Sequence, residues 1–212
     1  MCTDCPRALA NDLMGSFPTL VSHHQDLVYG LARRYSRDAS DAEDLAQETF
    51  LRAYRALRGF QPERTLALHL RGWLARITLN LARNRARKRQ VATAALEAMM
   101  ERPDAQALGP ARSTEERESI RMWRRLLAAL PGPQRAAVGL RHVDGLSYPE
   151  VATALDRPIG TVKSDVHRGV RTLRRAYKAE IRDTREPDSQ AETNERAWPM
   201  AVVRSMTEVG TR

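Results

Sequence analysis

Aromatic residues are scarce in this chain of 212 residues: three Trp, five Tyr and three Phe, 5% in all. Sandwiches and barrels rely on aromatic and β-branched side chains, so this composition points away from an all-β fold and toward Ala-, Leu- and Arg-rich helices. Cysteine is scarcer still. Cys2 and Cys5 are the only two, too few for a disulfide framework. No run of about 18 apolar residues occurs, which removes a membrane-spanning helix. The N-terminus lacks the basic stretch and apolar core of a secretory signal. Acid is in short supply as well, 26 Asp and Glu against 35 Lys and Arg, leaving a formal charge of +9. The expectation is a soluble, helical, cytoplasmic protein with a basic surface.

That charge is unevenly placed. Residues 1–19 carry a net −1, 20–90 a net +7, 91–118 a net −3, 119–183 a net +7, and 184–212 a net −1. Two basic blocks around a mildly acidic, Ala- and Pro-containing stretch suggest two small helical domains on a flexible linker. The boundaries expected are an N-terminal extension over 1–19, a first domain over 20–90, a linker over 91–118, a second domain over 119–183 and a disordered tail over 184–212. Each basic block suits a polyanion such as nucleic acid, although basic residues also serve simply to solubilise a surface.

In the first block Leu20, His24, Leu27, Val28, Leu31 and Tyr35 recur at spacings of three and four, an amphipathic stripe. Ser40-Asp41-Ala42-Glu43 has the pattern of a capping box with Ser40 at the cap. The helix it starts runs through Leu57, with Leu45, Ala46, Thr49, Phe50, Ala53 and Leu57 on the buried face. Asp44, Gln47, Glu48, Leu51, Arg52 and Arg55 fall on the other side, and Arg58-Gly59-Phe60-Gln61-Pro62 stops the helix. A third helix turns Leu70, Trp73, Leu74, Ile77 and Leu81 inward. Asn80, Arg83, Asn84 and Arg87 then share one exposed face, in a run from Arg76 to Arg89 with six basic residues and no acid.

The acids Asp41, Glu43, Asp44 and Glu48 raise the question of a metal-dependent nuclease, whose two ions about 3.5–4 Å apart need converging carboxylates. Only Asp44 and Glu48 share a face; Asp41 and Glu43 read as first-turn acids favoured by the helix dipole. No metal or other cofactor is expected there. A protein-docking face accounts for Gln47 and Leu51 too.

The second block carries the sharper pattern. Ser147-Tyr148-Pro149-Glu150 is a capping box with Pro in the first turn. Val151, Ala152 and Leu155 give a short helix its apolar side, and Asp156-Arg157-Pro158 breaks it. A second helix begins near Ile159, with Val162, Val166, Val170 and Leu173 inward. Two short helices on a tight turn make a helix-turn-helix, whose second helix enters a major groove. Lys163, Ser164, His167, Arg168 and Arg171 lie outward, donors suited to phosphate oxygens and to guanine N7 and O6. A plain α-hairpin with a solvated basic face is the simpler reading.

These motifs together resemble a known family. Asp41-Ala42-Glu43-Asp44-Leu45-Ala46-Gln47-Glu48-Thr49-Phe50 is similar to the region 2 helix of bacterial extracytoplasmic-function (ECF) sigma factors of the sigma-70 family. Trp73-Leu74-Ala75-Arg76-Ile77 with Asn80 resembles the element that follows it. Leu130-Pro131, Gly145-Leu146-Ser147-Tyr148-Pro149-Glu150-Val151-Ala152 and Gly160-Thr161-Val162-Lys163-Ser164 resemble region 4. The resemblance covers roughly 20–90 and 119–177. It implies an all-α fold of a region 2 bundle and a region 4 helix-turn-helix, and a non-enzymatic protein that takes core RNA polymerase to promoters for a stress or signal regulon. Asp44, Gln47, Glu48 and Leu51 would dock on the clamp helices of the largest polymerase subunit. Asn80, Arg83, Asn84 and Arg87, beside the Gly59–Leu70 loop, would take the −10 element, with a base flipped out of the stack. Thr161, Lys163, Ser164, His167, Arg168 and Arg171 would serve the −35 element. The linker would thread toward the polymerase active centre. An anti-sigma factor or another regulator is implied as a further partner. A helix-turn-helix repressor or activator that works without polymerase remains the alternative.

Two departures stand out. Asp165 and Val170 occupy positions that are commonly basic in the family. Asp165, one turn into the second helix, is expected within reach of the groove: it would accept from a cytosine N4, orient Arg168 or His167 (the favoured reading), or face away from the DNA. The Thr65–Leu70 segment lacks the aromatic expected before Trp73. At the ends, Cys2 and Cys5 with His23 and His24 offer four potential zinc ligands at a spacing that fits no standard finger, so loose terminal cysteines are expected. Ala197-Trp198-Pro199-Met200-Ala201-Val202-Val203 is an apolar island in the tail.

Overall fold

The computed structural model describes residues 5–96 and 114–184, with side chains over 5–88 and 121–180. Residues 97–113, which hold most of the expected linker, and 185–212, which hold the expected tail and its apolar island, lie outside them, as does Cys2. The described residues are helical and form part of two compact units, Met1–Ala107 and Leu108–Arg212. None of their helices is long and apolar enough to cross a membrane.

The first unit is built from α1 (Cys5–Asn11), α2 (Leu13–Tyr35), α3 (Ala39–Leu57), the single turn α4 (Pro62–Leu66) and α5 (Leu70–Leu96). α2, α3 and α5 pack on one another, and α1 packs on α2 and on α4. Their apolar stripes meet in a core of Leu20, Val28, Ala53, Leu57, Leu70 and Leu74, continued by Ala32, Ala42, Leu45, Leu81 and Ala82. Tyr35, expected on that stripe, is 47% exposed; it is the last residue of α2, where the buried places are taken by Ala32 and the C-cap Ser36. The cap of α3 is also displaced. Asp38, in extended backbone, accepts from Asp41 N–H at 2.8 Å, and Asp41 accepts from Arg37 N–H at 3.3 Å, so Ser40 already lies inside the helix. A carboxylate two residues upstream wins the capping role, because it fits the same orphan donors with a full charge.

Residue 20, the expected start of the first domain, falls within α2. Asp12 caps that helix by accepting from Gly15 N–H at 3.0 Å, and Phe17 meets Tyr54 of α3 edge-on with ring centroids 4.9 Å apart. Cys5 and Leu9 are buried in the same core. The loose terminal cysteine expected at position 5 is thus wrong. Cys5 opens a helix, is 3% exposed, and its disulfide-bonded sulfur lies 3.4 Å from His23 Nδ1.

The second unit contains α6 (Thr114–Ala128), α7 (Gly132–Val138), α8 (Tyr148–Leu155) and α9 (Ile159–Thr184). Between α7 and α8 the chain makes one π-helical turn, Gly139–Val143, and then Gly145 at φ +63°, a left-handed conformation that glycine adopts without a Cβ clash. α6, α7 and α8 all pack on α9. Trp123, Leu126, Leu130, Val138 and Leu173 form the core, and Trp123 stacks on Tyr177 with centroids 5.0 Å apart. α7 packs tightly on α9 at Gly169, where a Cβ would sit 2.6 Å from Val138 Cγ2.

Gly169→Ala would gain about 1 kcal/mol of helix propensity, but it must push a buried, β-branched valine off its rotamer, at a cost of about 1–3 kcal/mol. We expect a net destabilisation of about 1 kcal/mol. Gly30→Ala, in the middle of α2 with nothing within 4 Å of the new Cβ, should stabilise by about 0.5–1 kcal/mol. Opposite shifts of the two denaturant midpoints check this.

Candidate functional site

Three polar faces lie outside these cores. The first is on α3, where the stripe that buries Ala42, Leu45, Thr49 and Ala53 leaves Asp44, Gln47 and Leu51 on the solvent side. Leu51 is 54% exposed, a large apolar side chain between polar neighbours. Glu48 does not stand free with them. Its Oε1 accepts from Arg52 at 2.8 Å and its Oε2 from Arg85 of α5 at 3.0 Å. Arg85 also donates to Asp41 Oδ1 at 3.1 Å and to the Asp41 carbonyl at 3.2 Å. The Arg85 guanidinium, with help from Arg52, holds the Glu48 carboxyl below its ordinary pKa despite some burial. Sequence reasoning missed Arg85. It continues the buried stripe of Thr78, Leu81 and Ala82, and a cation on such a stripe requires an acidic partner, which was the available signal.

The second face is on α5. Asn80, Arg83, Asn84 and Arg87 are all exposed, as their spacing required, and Arg83 donates to Asn80 Oδ1 at 3.3 Å. The adjoining Gly59–Leu70 segment holds α4, so it is not a plain loop. Thr65 is buried, whereas Leu66, Ala67 and His69 are exposed. The aromatic missing before Trp73 has a spatial counterpart in Phe60, whose ring lies 5.8 Å from that of Trp73 and carries the Arg64 guanidinium 3.9 Å from its centroid.

The third face is the helix-turn-helix. Ser147 and Glu150 form the full reciprocal capping box of α8, with Glu150 Oε2 accepting from Ser147 N–H at 2.7 Å. Of the expected apolar side, Val151 is buried and Ala152 and Leu155 half-buried, while Ala154 takes the second buried place. Asp156 closes the helix at φ 55°, a left-handed conformation that Asp tolerates better than most residues. On α9, Val162, Val166 and Leu173 are buried and Val170 half-buried; Lys163, Ser164, His167, Arg168 and Arg171 are exposed and Thr161 half-buried. Asp165 corrects the expectation of a residue within reach of the groove. It is 4% exposed, with Oδ1 accepting from Arg168 and Oδ2 from Arg157. Burial argues against cytosine reading, and the partners found are Arg168, one of the two expected, and Arg157, which was not expected. The stripe of Val162, Val166 and Gly169 carries Asp165 under the turn.

No group of three or more His, Cys, Asp or Glu among the described residues is placed to hold a metal ion. Of the four acids of α3, Asp41 and Glu48 are taken up by Arg85, and a disulfide sulfur at Cys5 is not a thiolate ligand.

Comparison with known proteins bears on all three faces. Residues 20–91 match the family model for sigma-70 region 2, and residues 120–173 match that for sigma-70 region 4. The ECF RNA polymerase sigma factor SigW of Bacillus subtilis is 31% identical over 171 residues, which cover 77% of this chain and 89% of SigW. The chain belongs to the ECF sigma factors. SigE of Mycolicibacterium smegmatis, also an ECF sigma factor, is 39% identical over 162 residues, or 76% of this chain and 61% of that longer relative. Among solved structures, the sigma factor RpoE in complex with the anti-sigma factor NepR from Bartonella quintana is 25% identical with a TM-score of 0.59, over 76% of this chain and 96% of that one. The α3 and α5 faces therefore lie in region 2 and the helix-turn-helix in region 4.

The Arg85 cluster within region 2 has a definite pH signature. Because the folded pKa of Glu48 is depressed, its contribution is complete above the ordinary carboxylate value of 4.5 and lost as pH falls through the folded value. The side chain is 36% exposed, so solvent screening keeps the contribution to about 0.5–1 kcal/mol. Glu48→Gln should be less stable than the parent by that amount at pH 7, with the gap closing in urea melts near pH 2.

Proposed function

We propose that this ECF sigma factor binds core RNA polymerase and directs it to promoters, taking the −10 element with region 2 and the −35 element with region 4. The observation that carries the reading is the pairing, in one chain, of two folded units whose outward faces differ in chemistry. Region 2 offers a mixed acidic and apolar face on α3 and a cationic, amide-bearing face on α5, and region 4 offers a cationic helix-turn-helix. A polymerase-independent helix-turn-helix regulator would account for the second unit but leaves the region 2 match without a purpose.

Asp44, Gln47 and Leu51 are the polymerase-docking residues of this reading, with Glu48 at their edge, where Arg85 and Arg52 restrain it. Docking on the clamp helices of the largest subunit suits an apolar anchor within a polar rim. Asn80, Arg83, Asn84 and Arg87 serve the −10 element. Arginines hold the backbone, and the amides can read a Watson–Crick edge once a base is unstacked. Thr161, Lys163, Ser164, His167, Arg168 and Arg171 serve the −35 major groove. The chain itself performs no catalysis in this scheme; the recruited polymerase makes the phosphodiester bonds. It would act in the cytoplasm, and an anti-sigma factor that covers one of these faces is the regulator that the Bartonella complex brings to mind.

Co-purification with core polymerase followed by promoter-dependent transcription in vitro tests the whole reading. Asp44→Arg with Leu51→Arg should abolish core binding while shifting stability by no more than about 0.5 kcal/mol, since both side chains face solvent. Undiminished core affinity in that variant would remove the docking assignment. Asn80→Ala should impair promoter opening more than initial association, and a template already melted at the −10 element should rescue it. An equal defect on melted and closed templates would remove the opening role.

A further inference from the structure

Region 4 holds a charged cluster of which only Arg168 is among the −35 residues named above; Arg157 and Asp165 are not. Asp165 is almost fully buried, and its two oxygens accept from Arg157 Nη1 at 2.5 Å and from Arg168 Nη2 at 3.0 Å. The Arg157 side chain remains 35% exposed and that of Arg168 52%. Each arginine donates once to Asp165 and keeps the other N–H groups of a five-donor fork. Three charges sum to +1, and the surplus is presented outward.

Stability alone is a poor reason for this arrangement. A buried carboxylate between arginines gains little over apolar side chains of the same volume, because desolvation offsets the attraction. What the cluster does achieve is placement. The Arg157 backbone is already fixed, with its N–H donating to Ala152 O at 3.1 Å, left-handed Asp156 before it and Pro158 after it. It stands two residues ahead of Ile159, the first residue of α9. That end of the recognition helix enters the groove, where helix N–H groups and dipole already favour phosphate. A guanidinium pinned there meets a backbone phosphate with little further ordering.

We propose that Arg157, in the turn between α8 and α9, contacts a backbone phosphate of the −35 duplex, with Asp165 as the positioning residue that holds Arg157 and Arg168 as a pair. The proposal rests on the sigma-factor reading of α9, and its test separates the two. Full-length protein in holoenzyme with core polymerase is titrated against a promoter selected from a randomised −35 library, at 50 to 200 mM salt. One phosphate contact contributes about 0.9 to the slope of log K against log salt. Arg157→Ala should therefore bind all −35 sequences more weakly, with a slope shallower by about 0.9. Over that range the wild type should lose about 3.5-fold more affinity than the variant. Arg157→Lys should keep the wild-type slope. Should Arg157→Ala fail to fold, Arg157→Met with Asp165→Leu replaces the ion pair by an apolar one and should show the same shallower slope. An unchanged slope in the folded charge-free variant, or a defect confined to one base position, overturns the assignment of Arg157 while the sigma-factor reading stands. Failure of the wild-type holoenzyme to select any promoter overturns both.

Discussion

The seam between α3 and α5 fixes both outward faces of region 2. Thr49 and Thr78 meet there fully buried, their oxygens 3.4 Å apart, each hydroxyl returned to the carbonyl one turn back in its own helix, Leu45 and Leu74. Because neither hydroxyl is left without an acceptor, the two helices can approach closely without a desolvated polar group. Leu45, Leu74, Leu81 and Ala82 fill the rest of the seam. A helix has only one circumference to divide, so committing this stripe to the core dictates what remains outside: Asp44, Gln47 and Leu51 on one helix, Asn80, Arg83, Asn84 and Arg87 on the other.

Arg85 extends that seam beyond the apolar core. It spans from α5 to two carboxylates of α3 one helical stretch apart, Asp41 and Glu48. The same guanidinium thus ties the first turn of α3, where Asp41 also accepts from Arg37, to the edge of the α3 face that holds Asp44, Gln47 and Leu51. Such partly exposed bridges add little stability. Their effect is geometric, since they restrict where α3 can slide relative to α5. Glu48 is consequently a restrained member of its face, and Leu51 its solvent-exposed apolar side chain.

Region 4 repeats the device with a shorter reach. Asp165 in α9 does for Arg157 and Arg168 what Asp41 and Glu48 do for Arg85, but it joins a turn to a helix rather than two helices. In each case an acid within a basic block organises cations. Negative residues in a basic block are thus not merely repulsive; paired as these are, they set the direction of the arginines beside them.

The sequence by itself determined the all-helical class, the inward stripes of α3, α5 and α9, the capping box at Ser147 and the four-residue face on α5. These follow from a local periodicity of 3.6 and from caps made by residues within three positions of one another. Only the tertiary structure decided which charged residues on or beside those faces are free. Glu48 and Arg85 lie 37 positions apart in sequence, Asp41 and Arg85 44 apart, and Asp165 meets Arg157 across a turn. The same holds for Cys5, which reads as a terminal residue and is core because α1 folds onto α2 and α4. Periodicity assigns a residue to a side of its own helix, but the partner that faces it is set by how the helices pack, and no local pattern records that.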